Sequence, residues 1–411
     1  MIDHDPPLLG LAAPISSPIP APIPAPGRTD RWTRAFLRVL GGLEAGRVTV
    51  VTPQGGRVTF SGRRPGPSAA LCLHEASAVR RLFLGGAVGF AEAYVDGGWS
   101  SPDLAALLEL AALNEARTDV AGSRLVLALR RLWHLARANT RRGSRRNVSF
   151  HYDLGNDFYR LWLDRGMQYS CALYEGGEDL EAAQEAKLAR VSALLDPRPG
   201  DAVLEIGCGW GALAERLVVE HGAAVTGLTL SREQLDWARR RLGGRADLRL
   251  QDYRDVGGAY DRIASIEMVE AVGERNWPTY FQVLHDRLKP GGVAVIQAIT
   301  IAEERFAAYR RGADFIQRHV FPGGMLPTAG LVRGHARRAG LRVAAQERFG
   351  LSYARTLAEW NRRFQAAWPR IEAQGFDARF KRLWEYYLAY CEAGFRTGAV
   401  DVGLYRFERP S

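Results

Sequence analysis

Apolar and polar positions alternate along the chain in two regions, and each region predicts its own module. In the first, residues 47–51 and 57–60 alternate as β-strands do, and residues 76–84 and 104–113 carry apolar residues at helical spacing. This pattern predicts a small α+β domain over residues 31–115.

The second region alternates short apolar runs with helical patterns. The runs lie at 202–206, 224–228, 248–251, 262–266 and 292–298, and the helical patterns include 211–221 and 232–242. Such alternation is typical of a parallel sheet with helices on both faces. Residues 301–411 are expected to be mostly helical and are rich in aromatic side chains.

Two segments lack both patterns. Residues 1–30 are rich in Pro and Ala, with proline at every second position from 18 to 26, which excludes helix and central strand and predicts a disordered tail. Residues 116–150 crowd arginines together and predict a basic linker. That linker suits docking on anionic lipid headgroups and an ordinary solvated connection equally well.

Composition narrows the class of protein. Of 411 residues, 47% are hydrophobic and 24% charged, which is globular rather than disordered or fibrous. No apolar run approaches the roughly 20 residues that span a bilayer, and we expect no signal peptide. Four cysteines without CxxC spacing argue against a zinc module or a disulfide scaffold and fit a reducing cytosol. The net charge of +10 favours an anionic partner: a nucleic acid, a membrane surface or an acidic small molecule.

The sharpest motif is the segment VLEIGCGWG at 203–211. A buried strand is expected to end near Glu205, followed by a tight turn through Gly207, Gly209 and Gly211, where glycine permits close approach to a ligand. The spacing is neither GxGxxG nor a P-loop, and no lysine is present for a phosphate. The ligand therefore lacks a pyrophosphate and lies beyond the carboxyl ends of the strands.

This loop resembles the first motif of class I S-adenosylmethionine-dependent methyltransferases, which implies a Rossmann-like sheet with helical C-terminal insertions. The next strand ends in GLTLSREQ at 227–234, without the usual acid. The chain from about 150 to 411 resembles cyclopropane-fatty-acyl-phospholipid synthases and mycolic acid cyclopropane synthases. The matching segments are HYDLGNDFYRLWLD, YSCALY, LEAAQEAKL, QDYRDV, IEMVEAVG, FPGGMLP, SYARTLAEW and YYLAYCEAGFR. We therefore expect the catalytic domain to span 151–411.

The segment GGAVGFAEAYVDGGW at 85–99 resembles the N-terminal lipid-binding domain of the phospholipid-acting members. The resemblance thus implies an intact phospholipid as substrate. It also assigns a set of cofactor-binding positions, which are Tyr169, Ser170, Glu205, Gly207, Cys208, Gly209, Trp210, Gly211, Thr229, Leu230, Ser231, Gln234, Gln251 and Asp252.

The resemblance also implies a bicarbonate ion at the reaction centre. Its ligands in the family match Cys171, Glu270, Ile299 and Tyr353, but the family's histidine is replaced by Gln297. Glutamine donates a hydrogen bond yet cannot become cationic, so bicarbonate binding stays an open expectation. Cys391 matches a cysteine treated as an active-site residue in the family, although packing is its alternative role.

The expected reaction adds a methyl group to a cis double bond of a phospholipid acyl chain and closes a cyclopropane ring. The cationic intermediate requires a dry pocket, aromatic faces such as Tyr174, Tyr353 and Trp360, and a base for the departing proton. A methyl- or methylene-branched product is the near alternative. Methylation of nucleic acid or of a small molecule, and non-catalytic lipid binding, are remoter alternatives.

These expectations place the protein in the cytoplasm, peripherally on the inner face of the cytoplasmic membrane, with anionic phospholipid as its partner. We expect no nucleic-acid partner and no metal site, since the eight histidines show no ligand spacing. The sequence leaves open whether the chain forms a homodimer.

Overall fold

The computed structural model describes residues 30–114 and 154–411. The predicted tail, apart from Asp30, and the predicted basic linker lie outside the described residues. Among the described residues, no helix is both long enough and apolar enough to cross a membrane.

The N-terminal module combines a four-stranded sheet with three helices. Its elements are α1 (Arg31–Leu40), β1 (Ala45–Val51), β2 (Arg57–Ser61), β3 (Arg64–Leu73), α2 (Ala76–Val95), β4 (Trp99–Ser100) and α3 (Leu104–Leu113). The sheet order is β2-β1-β3-β4, with β1 and β3 parallel. The predicted α+β class is therefore confirmed. Strand β3 went unpredicted because prolines at 65 and 67 interrupt its pattern, and α2 continues through the glycine-rich segment with a break at Gly86 (φ +60°).

The catalytic domain contains one seven-stranded sheet. Its elements are α4 (Asn156–Tyr159), α5 (Leu180–Leu195), β5 (Ala202–Ile206), α6 (Ala212–His221), β6 (Ala224–Thr229), α7 (Arg232–Leu242), β7 (Asp247–Leu250), β8 (Tyr260–Ile266), α8 (Val269–Val272), α9 (Trp277–Arg287), β9 (Leu288–Ile301), α10 (Glu303–Tyr309), α11 (Phe315–His319), α12 (Ala329–Arg338), β10 (Arg342–Arg348), α13 (Gly350–Glu372), α14 (Ala378–Arg396) and β11 (Val400–Glu408).

The strand order β10-β11-β9-β8-β5-β6-β7 places β8 at the centre of the sheet, with β5 beside it. Strands β5 to β9 run parallel, while β11 pairs antiparallel with both β9 and β10. The α/β prediction is confirmed, but the prediction of a purely parallel sheet followed by helices missed β10 and β11. Strand β10 has the sequence RVAAQER at the sheet edge, so it lacks the apolar run that identifies a buried strand.

The two modules pack against each other through α14. Tyr94 donates a hydrogen bond to Glu385 (3.0 Å), and Arg382 donates to the carbonyl of Val95 (2.9 Å). The rings of Tyr94 and Trp99 lie against Tyr386, within one continuous apolar core. This contact brings the N-terminal helices next to the carboxyl end of the large sheet.

Candidate active site

The glycine loop after β5 opens toward a cavity. Gly207 (φ +83°) and Gly209 (φ +51°) both adopt a left-handed backbone. A Cβ at Gly207 would lie 2.4 Å from the sulfur of Met268, whereas a Cβ at Gly209 would meet no described atom within 4 Å. Gly211 begins α6 and approaches Ala238 closely. The backbone at Gly209 is therefore free to face a ligand.

Glu205, at the end of β5, is the carboxyl group of the glycine loop. One of its carboxylate oxygens is buried without a hydrogen-bond partner among the described residues. Burial raises the pKa of Glu205 to about 8, because the charge of Lys187 offsets the lost hydration only in part. A cationic ligand would supply the missing partner, so this site fits the sulfonium and ammonium groups of S-adenosylmethionine.

Most of the predicted cofactor residues line the same cavity. They are Tyr169, Ser170, Glu205, Gly207, Cys208, Gly209, Trp210, Thr229, Leu230, Gln234 and Gln251. Gly211 and Ser231 instead cap the N-termini of α6 and α7, and the Ser231 hydroxyl accepts a hydrogen bond from the Gln234 N–H (3.3 Å). Asp252 is buried and ion-paired with Arg254 (2.6 Å), so it shapes the loop after β7.

The cavity continues beyond the cofactor loop into the N-terminal module. Its volume is about 1320 Å³, above the roughly 300–1,000 Å³ of ordinary ligand pockets. The far end is lined by apolar side chains of the N-terminal module, including Phe36, Leu40, Leu107 and Leu110. A second, long and apolar molecule therefore fits beside the cofactor.

Between these two ends lies a half-buried carboxylate, Glu267. One oxygen accepts hydrogen bonds from the Cys171 N–H (2.8 Å) and the Gln297 side-chain amide (2.7 Å), and the other from the Tyr353 hydroxyl (2.7 Å). The structure thus brings together Cys171, Gln297 and Tyr353, as the sequence predicts, but around a carboxylate to which we had assigned no role.

Glu270 lies three residues further along the chain, in the short helix α8. It accepts a hydrogen bond from the Ile299 N–H, while its second oxygen is buried without a partner among the described residues. Burial, with the nearby charge of Glu267, raises the pKa of Glu270 to about 8. The expected bicarbonate does not fit, because Glu267 already accepts hydrogen bonds from three of the positions expected to bind it, and the fourth donor, the Ile299 N–H, is taken by Glu270.

Lys187 is the cation of this centre, and sequence reasoning also missed it. It is buried and donates to the Ser170 hydroxyl (2.9 Å), and its charge acts on Glu267 and Glu205. Desolvation lowers the pKa of Lys187. Lys187 lies within the segment LEAAQEAKL, which resembles the family but suggests no role for the lysine. The signal in the sequence that could have identified it is a single lysine on the apolar face of a predicted helix.

The remaining candidates occupy different environments. Burial raises the pKa of both Cys171 and Cys391, the opposite of what a reactive thiolate needs. Cys391 lines the cavity, as does Tyr353. Trp360 packs behind Tyr353 with ring centres 6.2 Å apart, and Tyr174 lies against the Arg355 guanidinium. The aromatic faces at the cavity include Tyr353 and three tyrosines of α14, which are Tyr386, Tyr387 and Tyr390.

Comparison with known proteins agrees with this geometry. The mycolic acid cyclopropane synthetase family model matches residues 139–404. The chain is 39% identical over 363 residues to tuberculostearic acid methyltransferase UfaA1 of Mycobacterium tuberculosis, covering 84% of each protein. It is 35% identical over 345 residues to cyclopropane-fatty-acyl-phospholipid synthase of Escherichia coli, covering 80% of this chain and 85% of the relative.

A solved structure also superposes on the catalytic domain. Mycolic acid cyclopropane synthase CmaA1, complexed with SAH and CTAB, matches with a TM-score of 0.61 at 31% identity, covering 64% of this chain and 98% of that one. The class I methyltransferase fold expected from the sequence is thus confirmed.

Proposed function

The chain belongs to the mycolic acid cyclopropane synthetase family and is an S-adenosylmethionine-dependent methyltransferase, and from this we propose that it acts on the cis double bond of phospholipid acyl chains to form a cyclopropane ring. The observation that carries the proposal is the single cavity that joins the glycine loop, the buried acids and the apolar helices of the N-terminal module.

The cavity suits an olefin better than a polar acceptor. When bound, S-adenosylmethionine supplies an electrophilic methyl group. An olefin has no proton to lose before attack, so the chain needs mainly to position it and exclude water. The apolar wall around Leu107 and Leu110 excludes water, and the faces of Tyr353 and Tyr387 stabilise developing positive charge by about 0.5–2 kcal/mol each.

The experiment is mass spectrometry of monounsaturated phospholipid vesicles incubated with the purified protein and S-adenosylmethionine. A product heavier by one CH2 without a remaining double bond supports ring formation. Unchanged acyl chains, with methylation of some soluble acceptor instead, contradict the proposal. Omitting the cofactor is the control.

A branched product is the second candidate. The relative that is 39% identical is named a methyltransferase, and its name mentions no ring. A methylene branch has the same mass as a ring but retains a double bond, which hydrogenation detects. A reduced methyl branch carries two further hydrogens and requires a reductant.

We also propose that the protein works peripherally on anionic phospholipid at the inner face of the cytoplasmic membrane. Support comes from the net charge of +10 and from a cavity large enough for an acyl chain. Co-sedimentation with anionic vesicles that weakens at high salt, and little binding to neutral vesicles, is the expected result. Equal binding to both vesicles contradicts this proposal.

A further inference from the structure

We propose that Glu267 is the catalytic base of this enzyme and that its carboxylate stands in place of a dissolved bicarbonate ion. The inference rests on the proposed function, because a base is needed only if methylation of the olefin leaves a proton to remove. Glu267 lies in the cavity wall, and its carboxylate would make the enzyme independent of bicarbonate.

The first support is the set of donors around Glu267. Cys171, Gln297 and Tyr353 occupy three of the positions expected to bind bicarbonate, and each donates to Glu267 at 2.7–2.8 Å. Both carboxylate oxygens are engaged, which holds the group in one orientation. A side-chain carboxylate offers the same two acceptor oxygens as a bicarbonate ion, so one replaces the other without new donors.

The second support is the backbone. Glu267 has φ +53°, and among the described residues only two other non-glycine residues, Met167 and Asp196, have a positive φ. Such a conformation is strained for a non-glycine residue and persists where the surroundings hold it. The Glu267 N–H donates to the Gln297 carbonyl (2.8 Å), which holds the residue at the end of β8. The strained conformation lets this side chain reach the cavity.

The third support is charge. Glu267, which is half-buried, and Glu270, which is buried, are neighbouring carboxyls, and two such groups do not ionise together readily. Glu267 has three donors and the Lys187 charge, whereas Glu270 has the Ile299 N–H. The negative charge therefore resides on Glu267. Burial raises the pKa of Glu267, which strengthens it as a base once it is ionised.

The step balances without another reactant. Methylation of the double bond leaves a positive charge on the adjacent carbon. Glu267 removes a proton from the new methyl group, and the C–H electron pair forms the bond that closes the ring. The carboxylate becomes a neutral carboxylic acid and the lipid becomes neutral. The proton then returns to solvent before the next turnover.

The first experiment measures turnover in buffers freed of bicarbonate. Wild-type protein is expected to keep full activity, with less than a twofold gain on adding bicarbonate. Glu267→Gln is expected to lose about 100-fold in kcat, the usual contribution of a general base. Its affinity for S-adenosylhomocysteine, measured by calorimetry, should stay within about threefold. Glu372→Gln, at an exposed position at the end of α13 and away from the cavity, is the matched control and should match wild type.

A second variant restores the ion site. Glu267→Gly suits the positive φ and removes the carboxylate, so added bicarbonate should recover at least tenfold of the lost activity. The Glu267→Gly variant should also bind ¹³C-bicarbonate in NMR titrations, while wild type does not. This binding readout needs neither cofactor nor lipid.

The outcomes separate the two proposals. If wild type methylates lipid but requires bicarbonate, or if folded Glu267→Gln retains activity, Glu267 is not the base. If wild type binds bicarbonate and Glu267→Gly does not, the inference also fails. If wild type leaves the olefin unchanged under all conditions, the proposed function itself fails, whatever the variants bind.

Discussion

The hydroxyl groups of Tyr169 and Tyr387 lie 2.8 Å apart and join the cofactor side of the cavity to α14. Tyr169 belongs to the YSC segment, and Tyr387 lies on the helix that carries the contact with the N-terminal module. Both residues line the cavity. One hydrogen bond therefore connects the cofactor position with the position of the acyl chain.

Replacing Tyr387 with Phe should weaken cofactor binding. Loss of one buried hydrogen bond costs about 1 kcal/mol, so we expect KM for S-adenosylmethionine to rise about fivefold with a smaller change in kcat. Steady-state kinetics check this. In the double variant Tyr169→Phe/Tyr387→Phe, KM for S-adenosylmethionine should rise no further than in the single variant with the higher KM. Fully additive increases in KM would show that the two hydroxyls are not coupled.

Alanine substitutions at two glycines of the cofactor loop should have different effects, one on cofactor affinity and the other on stability. Gly209→Ala should lower affinity for S-adenosylhomocysteine at least tenfold, about 1.4 kcal/mol, because its Cβ projects into open cavity. Gly207→Ala should mainly lower stability, by about 1–3 kcal/mol beyond the cost of its positive φ, because its Cβ meets Met268. Calorimetry and thermal unfolding separate the two effects.

Gly177→Ala is the control for both glycine variants. Gly177 is exposed, and a Cβ there meets no described atom within 4 Å. Wild-type binding and stability are expected. Equal destabilisation by the Gly207 and Gly209 substitutions would contradict the predicted difference.

Stability should fall as pH rises toward 8. Glu205 and Glu270 both have pKa values raised from 4.5 to about 8 by burial, so the folded state keeps a proton that the unfolded state has lost. The stability that each contributes is complete below about 4.5 and is lost through 8, at about 1.4 kcal/mol per pH unit. Urea unfolding of the ligand-free protein across this range checks the sign.

Glu270→Gln keeps the shape of the side chain and removes its ionisation. The free energy of unfolding of this variant should fall less steeply with pH than that of wild type. The difference in slope should correspond to the loss of one titrating group. S-adenosylhomocysteine should reduce the remaining slope, because its ammonium group partners Glu205. A variant with the wild-type slope would show that Glu270 is not the titrating group.

Contact between the modules should matter for lipid and not for cofactor. Arg382→Ala removes the hydrogen bond to the Val95 carbonyl, and we expect KM for vesicle lipid to rise about threefold or more, with unchanged affinity for S-adenosylhomocysteine. Arg379→Ala is the matched control on the same helix, because its ion pair with Asp96 is exposed and contributes little. Equal effects of the two variants would count against the prediction.

Some of this protein could be predicted from its sequence alone. The alternation of apolar runs and helical patterns determines the central strands, and β5 and α7 have the predicted bounds. The GxGxG spacing determines the cofactor loop, since its glycines are needed for local backbone geometry. Structural features that depend only on residues close together in the sequence can be predicted from such local patterns.

The tertiary structure alone decided the reaction centre. Glu267 follows the end of β8, Gln297 lies within β9 and Tyr353 lies on a C-terminal helix. Only the folded chain shows which of the two acids meets the donors. The edge strand β10 could not be predicted from the sequence either, because it is stabilised by pairing with β11 and has no apolar run. Burial, which sets the pKa of each acid, is a property of packing and has no local signature in the sequence.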